Sequence, residues 1–106
     1  MVNGDNTNGT QRLRLTETER HELLADELRR ETISVLGRAA PPLTLQDLAH
    51  TIWVTADGQM QRQGPENLKI ALHHNHLPKL ADYGVVTYDA AEKTVVETQV
   101  GDAFDL

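Results

Sequence analysis

Three histidines stand close together in the stretch Leu72-His-His-Asn-His-Leu-Pro-Lys-Leu80. His73 and His76 are three residues apart, so on a helix they share a face, a spacing that can hold a transition metal. His74 points elsewhere, and no nearby carboxylate or thiol completes a site, so no metal and no cofactor is expected. The other reading of His76 is a core histidine bonded to a backbone carbonyl, such as one freed by Pro78. The opposite side of the same stretch offers different chemistry. Asn67, His74 and Asn75 carry the donors and acceptors that address base edges, asparagine pairing bidentately with adenine. Lys69, Lys79 and Arg62 are placed to meet phosphates, as is Lys93 further on. The plain alternative is that these residues form the solvated face of a helix. Ser34 is the sole serine, and it falls in a buried helix pattern without a neighbouring base. No glycine-rich phosphate loop or carboxylate pair with a cleft signature is present, so an enzyme is not expected.

These residues need a helix to position them. Leu72, His73, His76, Leu77 and Leu80 form one stripe on a 3.6-residue period, with Asn67, Ala71, His74, Asn75 and Pro78 roughly opposite. Leu68 lies off that stripe. Pro78 removes one intrahelical hydrogen bond and predicts a kink or a break. Gly84 follows the last periodic residue, where a left-handed cap costs glycine least. The pattern predicts a helix over 66–83 that turns directly into a strand.

Upstream, Thr16 with Glu19 is a capping-box pattern that starts a helix at Glu17. Asp26 can cap a second helix, Glu27 to about Gly37, and the two could equally run as one bent helix. Leu28, Ile33, Val35 and Leu36 supply its apolar side, while Arg29, Arg30 and Glu31 supply a wet one. Pro41-Pro42 breaks the helix. Leu43 adds a short strand, and Thr44 with Asp47 starts a third helix whose stripe is Leu45, Leu48, Ala49, Ile52 and Trp53. Residues 57–65 read as a polar loop. Val85 to Tyr88 and Thr94 to Thr98 read as two strands of a hairpin around Asp89–Lys93.

Composition sets the bounds. The chain has 106 residues, enough for one core, with 16 acidic residues against 10 basic ones and no cysteine. Only Lys69, Lys79 and Lys93 are lysines. A net charge of −6 opposes non-specific polyanion binding, which depends on neutralising phosphates. An acidic, lysine-poor surface suits a salt-filled cytoplasm. No apolar run is long enough to span a membrane, and no signal peptide is seen, so a cytoplasmic protein is expected. Residues 1–11 read as a disordered tail, residues 12–100 as the domain and residues 101–106 as a C-terminal tail.

The order helix, helix, short strand, helix, helix, hairpin is that of a winged helix-turn-helix. The segments Leu24-Ala-Asp-Glu-Leu-Arg-Arg, Pro42-Leu-Thr-Leu-Gln-Asp-Leu-Ala and Leu72-His-His-Asn-His-Leu-Pro-Lys-Leu-Ala-Asp-Tyr-Gly-Val-Val resemble a group of small haloarchaeal winged-helix proteins. These are regarded mostly as transcriptional regulators without assigned targets. The resemblance covers about Leu23 to Glu97, and its most specific part is His74-Asn-His76-Leu-Pro-Lys-Leu. It implies an α+β, mainly α fold of three to four helices with a C-terminal β-hairpin wing, and a halophilic archaeal origin. The loop before the last helix is longer than an ordinary helix-turn-helix turn and is a variable region in such proteins.

The expected function is sequence-specific binding of double-stranded DNA by a transcription regulator, with the last helix in the major groove. Such regulators are usually dimers on palindromic sites, and Leu13, Leu15, Leu23 and Leu24, with Phe104 and Leu106, offer apolar surface for a homodimer. The alternative is a winged-helix protein–protein module without DNA binding. A wing with Asp89 and Glu92 against one Lys93 makes a poor phosphate contact, which favours that alternative.

Overall fold

The structure, a computed structural model, describes residues 15–104. The expected tail at 1–11, together with Leu13 and Leu106, lies outside them. The fold is α+β and mainly helical, with a small three-stranded antiparallel sheet.

Local side-chain chemistry starts each of the first three long helices. Helix α1 (Glu17–Leu24) begins with a complete capping box. The Glu19 amide donates to Thr16 Oγ1 at 3.0 Å, and the Thr16 amide donates to Glu19 Oε1 at 2.8 Å. Helix α2 (Glu27–Arg38) is separate from α1, because the Asp26 carboxylate caps it by accepting from the Arg29 amide at 2.9 Å. After Pro41-Pro42 comes strand β1 (Leu43–Thr44), and Thr44 Oγ1 accepts from the Asp47 amide at 3.0 Å to open α3 (Leu45–Thr55). Each cap satisfies an amide that the first helical turn leaves without a partner.

The segment expected as a polar loop contains a short helix, α4 (Gly58–Gln63). Met60 anchors it in the core at 5% exposure. Trp53 closes it from α3: the indole N–H donates to the Gln61 carbonyl at 2.8 Å, and the Gln61 side chain donates to the Trp53 carbonyl at 2.7 Å.

The long helix is built in three parts: α5 (Pro65–Ala71), a π turn (Leu72–His76) and α6 (Leu77–Asp82). The π turn accounts for Leu68. Leu68, Leu72, Leu77 and Leu80 are all fully buried, yet their steps are four, five and three residues. In a regular α-helix the five-residue step would rotate the side chain about 140° out of line, at about 100° per residue. The extra residue of the π turn takes up that rotation, and the Leu77 amide donates to the Leu72 carbonyl five residues back. The wide turn lies just before Pro78, whose ring would press on the carbonyl four residues earlier in a regular helix.

Helix α6 ends at a glycine in the left-handed region, Gly84 at φ 77°. The Val85 amide donates to the Leu80 carbonyl and the Gly84 amide to the Ala81 carbonyl, both at 2.9 Å. That is a Schellman closure, and its apolar pair, Leu80 with Val85, is fully buried. The chain then runs into β2 (Val86–Asp89) and β3 (Thr94–Thr98). The strand order is β1–β3–β2, with Leu43 opposite Val95 and Tyr88 opposite Val95 on the other side. Residues 101–104, expected as a tail, are helical: α7 (Val100–Phe104) packs against α2 and buries Val100 and Ala103.

Three further expectations are corrected. Arg29 is not on a wet face but 7% exposed. Ser34 is exposed rather than buried, and its hydroxyl accepts from the Arg38 guanidinium at 3.1 Å. Leu15 and Leu23, expected on a dimer edge, are buried in the domain's own core, which leaves Leu24 and Phe104 of that edge partly open.

Candidate functional site

The outward side of the long helix carries Asn67, Ile70, His74 and Asn75, all exposed, Ile70 at 58%. Asn67 and Asn75 are eight residues apart, about 12 Å along a helix axis. The Asn67 side-chain amide donates through Nδ2 to the Gln63 carbonyl at 3.0 Å, which ties α4 to α5. The hairpin stands beside this face. Lys69, Ile70 and His74 share a shallow depression with Leu45 and Lys93. Lys93, at the hairpin turn, has φ 52°, and its carbonyl accepts from the Leu45 amide at 2.8 Å. The turn is therefore pinned to the start of α3.

Of the seven residues singled out in the sequence, the fold thus gathers Lys69, His74 and Lys93 round one depression, with Asn67 and Asn75 on the same exposed helix. It places two elsewhere. Arg62 is exposed on α4. Lys79 turns to α1, where its Nζ lies 3.3 Å from Glu22 Oε2. Lys69 is also paired, 3.3 Å from Glu66 Oε2. Among the described residues, Arg62 and Lys93 are the lysine and arginine members of the set without an ion pair. The Glu22 carboxylate is held below its usual range, first by the Tyr83 hydroxyl donating at 2.6 Å and then by Lys79.

The histidines part company. His73 is half-buried and shares a 2.7 Å hydrogen bond between Nδ1 and the Tyr88 hydroxyl, which fastens the long helix to β2. His74 sits edge-on to His73, with ring centroids 4.9 Å apart. His76 faces the other way, into the joint between α1 and α2, and among the described residues it bonds no backbone carbonyl. Its Nδ1 lies 3.4 Å from an Arg29 Nη1 and its Nε2 3.7 Å from Asp26 Oδ1. A guanidinium has only donors, so Nδ1 is the acceptor and the proton sits on Nε2, towards Asp26. Burial is the main cause of a His76 pKa below the usual imidazole range; Asp26 pushes it back up, and Arg29 and Lys79 push it down. Among the described residues no group of three or more histidines, cysteines or carboxylates gathers as a metal site.

Arg29 is the residue that the sequence reading missed. Its Nε donates to the Leu23 carbonyl at 2.7 Å and its Nη2 to the Glu22 carbonyl at 3.0 Å, which closes the end of α1. A signal was present: Arg29, Thr32, Ile33 and Leu36 fall on one helical stripe, and all are buried.

A family model for a domain of unknown function, DUF7344, matches residues 21–96. The chain belongs to the DUF7344 family. No curated protein and no solved structure matches it. The DUF7344 match runs from α1 into β3, so it takes in the Arg29–His76 joint, the long helix and the hairpin turn. It stops short of α7.

Proposed function

We propose that this DUF7344 chain is a winged-helix DNA-binding domain, acting as a sequence-specific transcriptional regulator in the cytoplasm of a halophilic archaeon. Helix α3 positions the α5–α6 helix in the major groove, and the β2–β3 hairpin is the wing. The observation that carries the reading is the strand order β1–β3–β2, with β1 lying between α2 and α3. That order sets the hairpin turn beside the outward face of the long helix.

The dimensions suit the task. A helix about 10–12 Å across enters a major groove about 12 Å wide. The separation of about 12 Å between Asn67 and Asn75 spans three to four base pairs at about 3.4 Å each. Asn67 and Asn75 read base edges, with His74 between them, while Lys93 and Lys69 meet the flanking backbone. A protein of this charge in molar salt gains little from many lysines, because counterion release weakens as salt rises. It relies on hydrogen bonds and shape, and the outward face is built for those.

The reading of a docking module without DNA affinity draws its support from the wing. Asp89 and Glu92 stand beside Lys93, and Lys69 and Lys79 are already paired with carboxylates. Selection of the purified protein against a randomised duplex pool in molar potassium chloride separates the two. Enrichment of a short consensus, lost in Asn75→Ala, supports the regulator. No enrichment sinks it.

A further inference from the structure

A second concave surface lies on the other helices, where α1, α2 and α7 meet. It is a groove of about 650 Å³. Its floor is apolar, made by Leu24, Ile33 and Phe104, and its rim carries Arg20, Arg30 and Arg38. Among the described residues no aspartate or glutamate lines it. In a chain of net charge −6, three arginines round one apolar trough are a local reversal of sign. Among the described residues none of the three makes an ion pair. Each spends a donor on a nearby oxygen, Arg20 on the Leu15 carbonyl at 3.1 Å, Arg30 on the Leu24 carbonyl at 3.0 Å and Arg38 on Ser34 at 3.1 Å. A guanidinium has five N–H donors, so each retains others for a carboxylate.

The spacing decides the shape of the occupant. Arg30 and Arg38 lie eight residues apart on α2, about 12 Å along the axis. One anionic group on a small molecule cannot reach both. Between them α2 presents Ser34 and Gly37, small residues over which another backbone can lie close. An elongated occupant with an apolar stripe and carboxylates on its flanks fits the floor and the rim together. A second copy does not. A two-fold contact across this groove would set three arginines against three arginines, and like charges in apposition oppose association.

We infer that the α1–α2–α7 groove docks an acidic amphipathic helix of a partner protein, its apolar stripe on Leu24, Ile33 and Phe104 and its carboxylates on Arg20, Arg30 and Arg38. This is recognition of a helix in a groove, with anchors at i, i+3 or i+4, and i+7. It uses none of the residues assigned to the DNA face, so a regulator can hold duplex and partner at once.

The probe is a fluorescein-labelled 15-residue peptide with leucines at helical spacing and glutamates on both flanks. The control has the same composition scrambled to destroy the stripe. Fluorescence anisotropy on the full chain should show the amphipathic peptide binding at least tenfold more tightly than the scrambled one. Amide shifts in a 15N–1H spectrum should cluster at Ile33, Ser34, Gly37 and Phe104. The triple variant Arg20→Gln, Arg30→Gln, Arg38→Gln should lose binding at least tenfold. Because Arg20 and Arg30 also hold carbonyls, the single variants Ser34→Glu and Arg38→Glu, on the exposed side of α2, provide the second arm, each expected to lose binding at least threefold with unchanged circular dichroism. No binding of the amphipathic peptide, equal binding of the scrambled one, or full binding by Ser34→Glu and Arg38→Glu overturns the assignment. So does light scattering that shows a dimer broken by those two variants, or loss of duplex binding in them. Failure of the DNA reading would leave these peptide results unchanged.

Discussion

Replacing Arg29 with methionine tests the joint that holds the N-terminal helices to the long one. The change keeps an aliphatic stem of similar reach but removes the guanidinium. Two charge-assisted hydrogen bonds go, to the Leu23 carbonyl at 2.7 Å and the Glu22 carbonyl at 3.0 Å, and with them the 3.4 Å contact to His76 Nδ1. A hydrogen bond to a charged group contributes about 1.5–3 kcal/mol. Carbonyls left without a partner in a joint that is mostly buried add their own desolvation cost. The two bonds alone come to about 3–6 kcal/mol, which overlaps the range of about 3–5 kcal/mol for breaking a buried charged pair on one side. For a domain of this size each kcal/mol moves the midpoint by about 4–8 °C, so Tm should fall by at least about 12 °C. Urea unfolding followed by circular dichroism gives the free energy directly. Arg29→Lys keeps a charge but not the fork, and it should recover about half of the loss. A loss under about 1 kcal/mol for the methionine variant would refute the claim that Arg29 closes α1.

The remaining predictions concern pH, the two faces of the long helix, and salt. Native His76 binds its proton more weakly than the unfolded chain does, so the unfolded state holds more protons just below the ordinary imidazole value of about 6.5. Stability should be complete above about pH 6.5 and should decline as pH falls below it, and His76→Gln should flatten that slope in urea titrations taken at several pH values. Leu77→Ala should cost about 2–5 kcal/mol, since Leu77 is fully buried, whereas Asn75→Ala should stay within about 0.5 kcal/mol; the reverse order would place the wrong face inward. With Arg62 and Lys93 the cations of the proposed set that make no ion pair among the described residues, the slope of log Kobs on log salt should be shallow, about −2 at about −0.9 per phosphate neutralised. Glu22→Gln releases Lys79 and should steepen that slope by about 0.9 if Lys79 then meets a phosphate.

What was legible in the sequence was local. Thr16, Asp26 and Thr44 announce their helices because a capping oxygen and the amide it satisfies are three residues apart. The stripe Leu45, Leu48, Ala49, Ile52 needs no knowledge of its neighbours. Gly84 ends its helix for a reason internal to one residue's φ. What stayed hidden depends on distant partners. Arg29 is buried because the open carbonyls of α1 and a histidine 47 residues away receive its donors, and no short window contains all three. Helix α4 escaped notice because Gly58 and Gly64 bracket a run with one apolar anchor, Met60, and its closure comes from Trp53 in the preceding helix. The π turn did leave a trace, in a leucine that refused the stripe, but a regular period has no place for the extra residue. In the candidate site, the exposure of Asn67, His74 and Asn75 was readable from periodicity. The pairing of Lys69 and Lys79 with carboxylates was not, nor was the arginine-rimmed groove, which three separate elements assemble.

The central claim is that the outward face of the α5–α6 helix reads duplex sequence. Genome-wide immunoprecipitation of the tagged chain in its native salt, run beside the Asn67→Ala, Asn75→Ala double variant, tests it most directly. Discrete sites sharing a short motif, which vanish in the folded double variant, are the predicted result. A flat profile for the unaltered chain, or sites that survive in the variant, would contradict it.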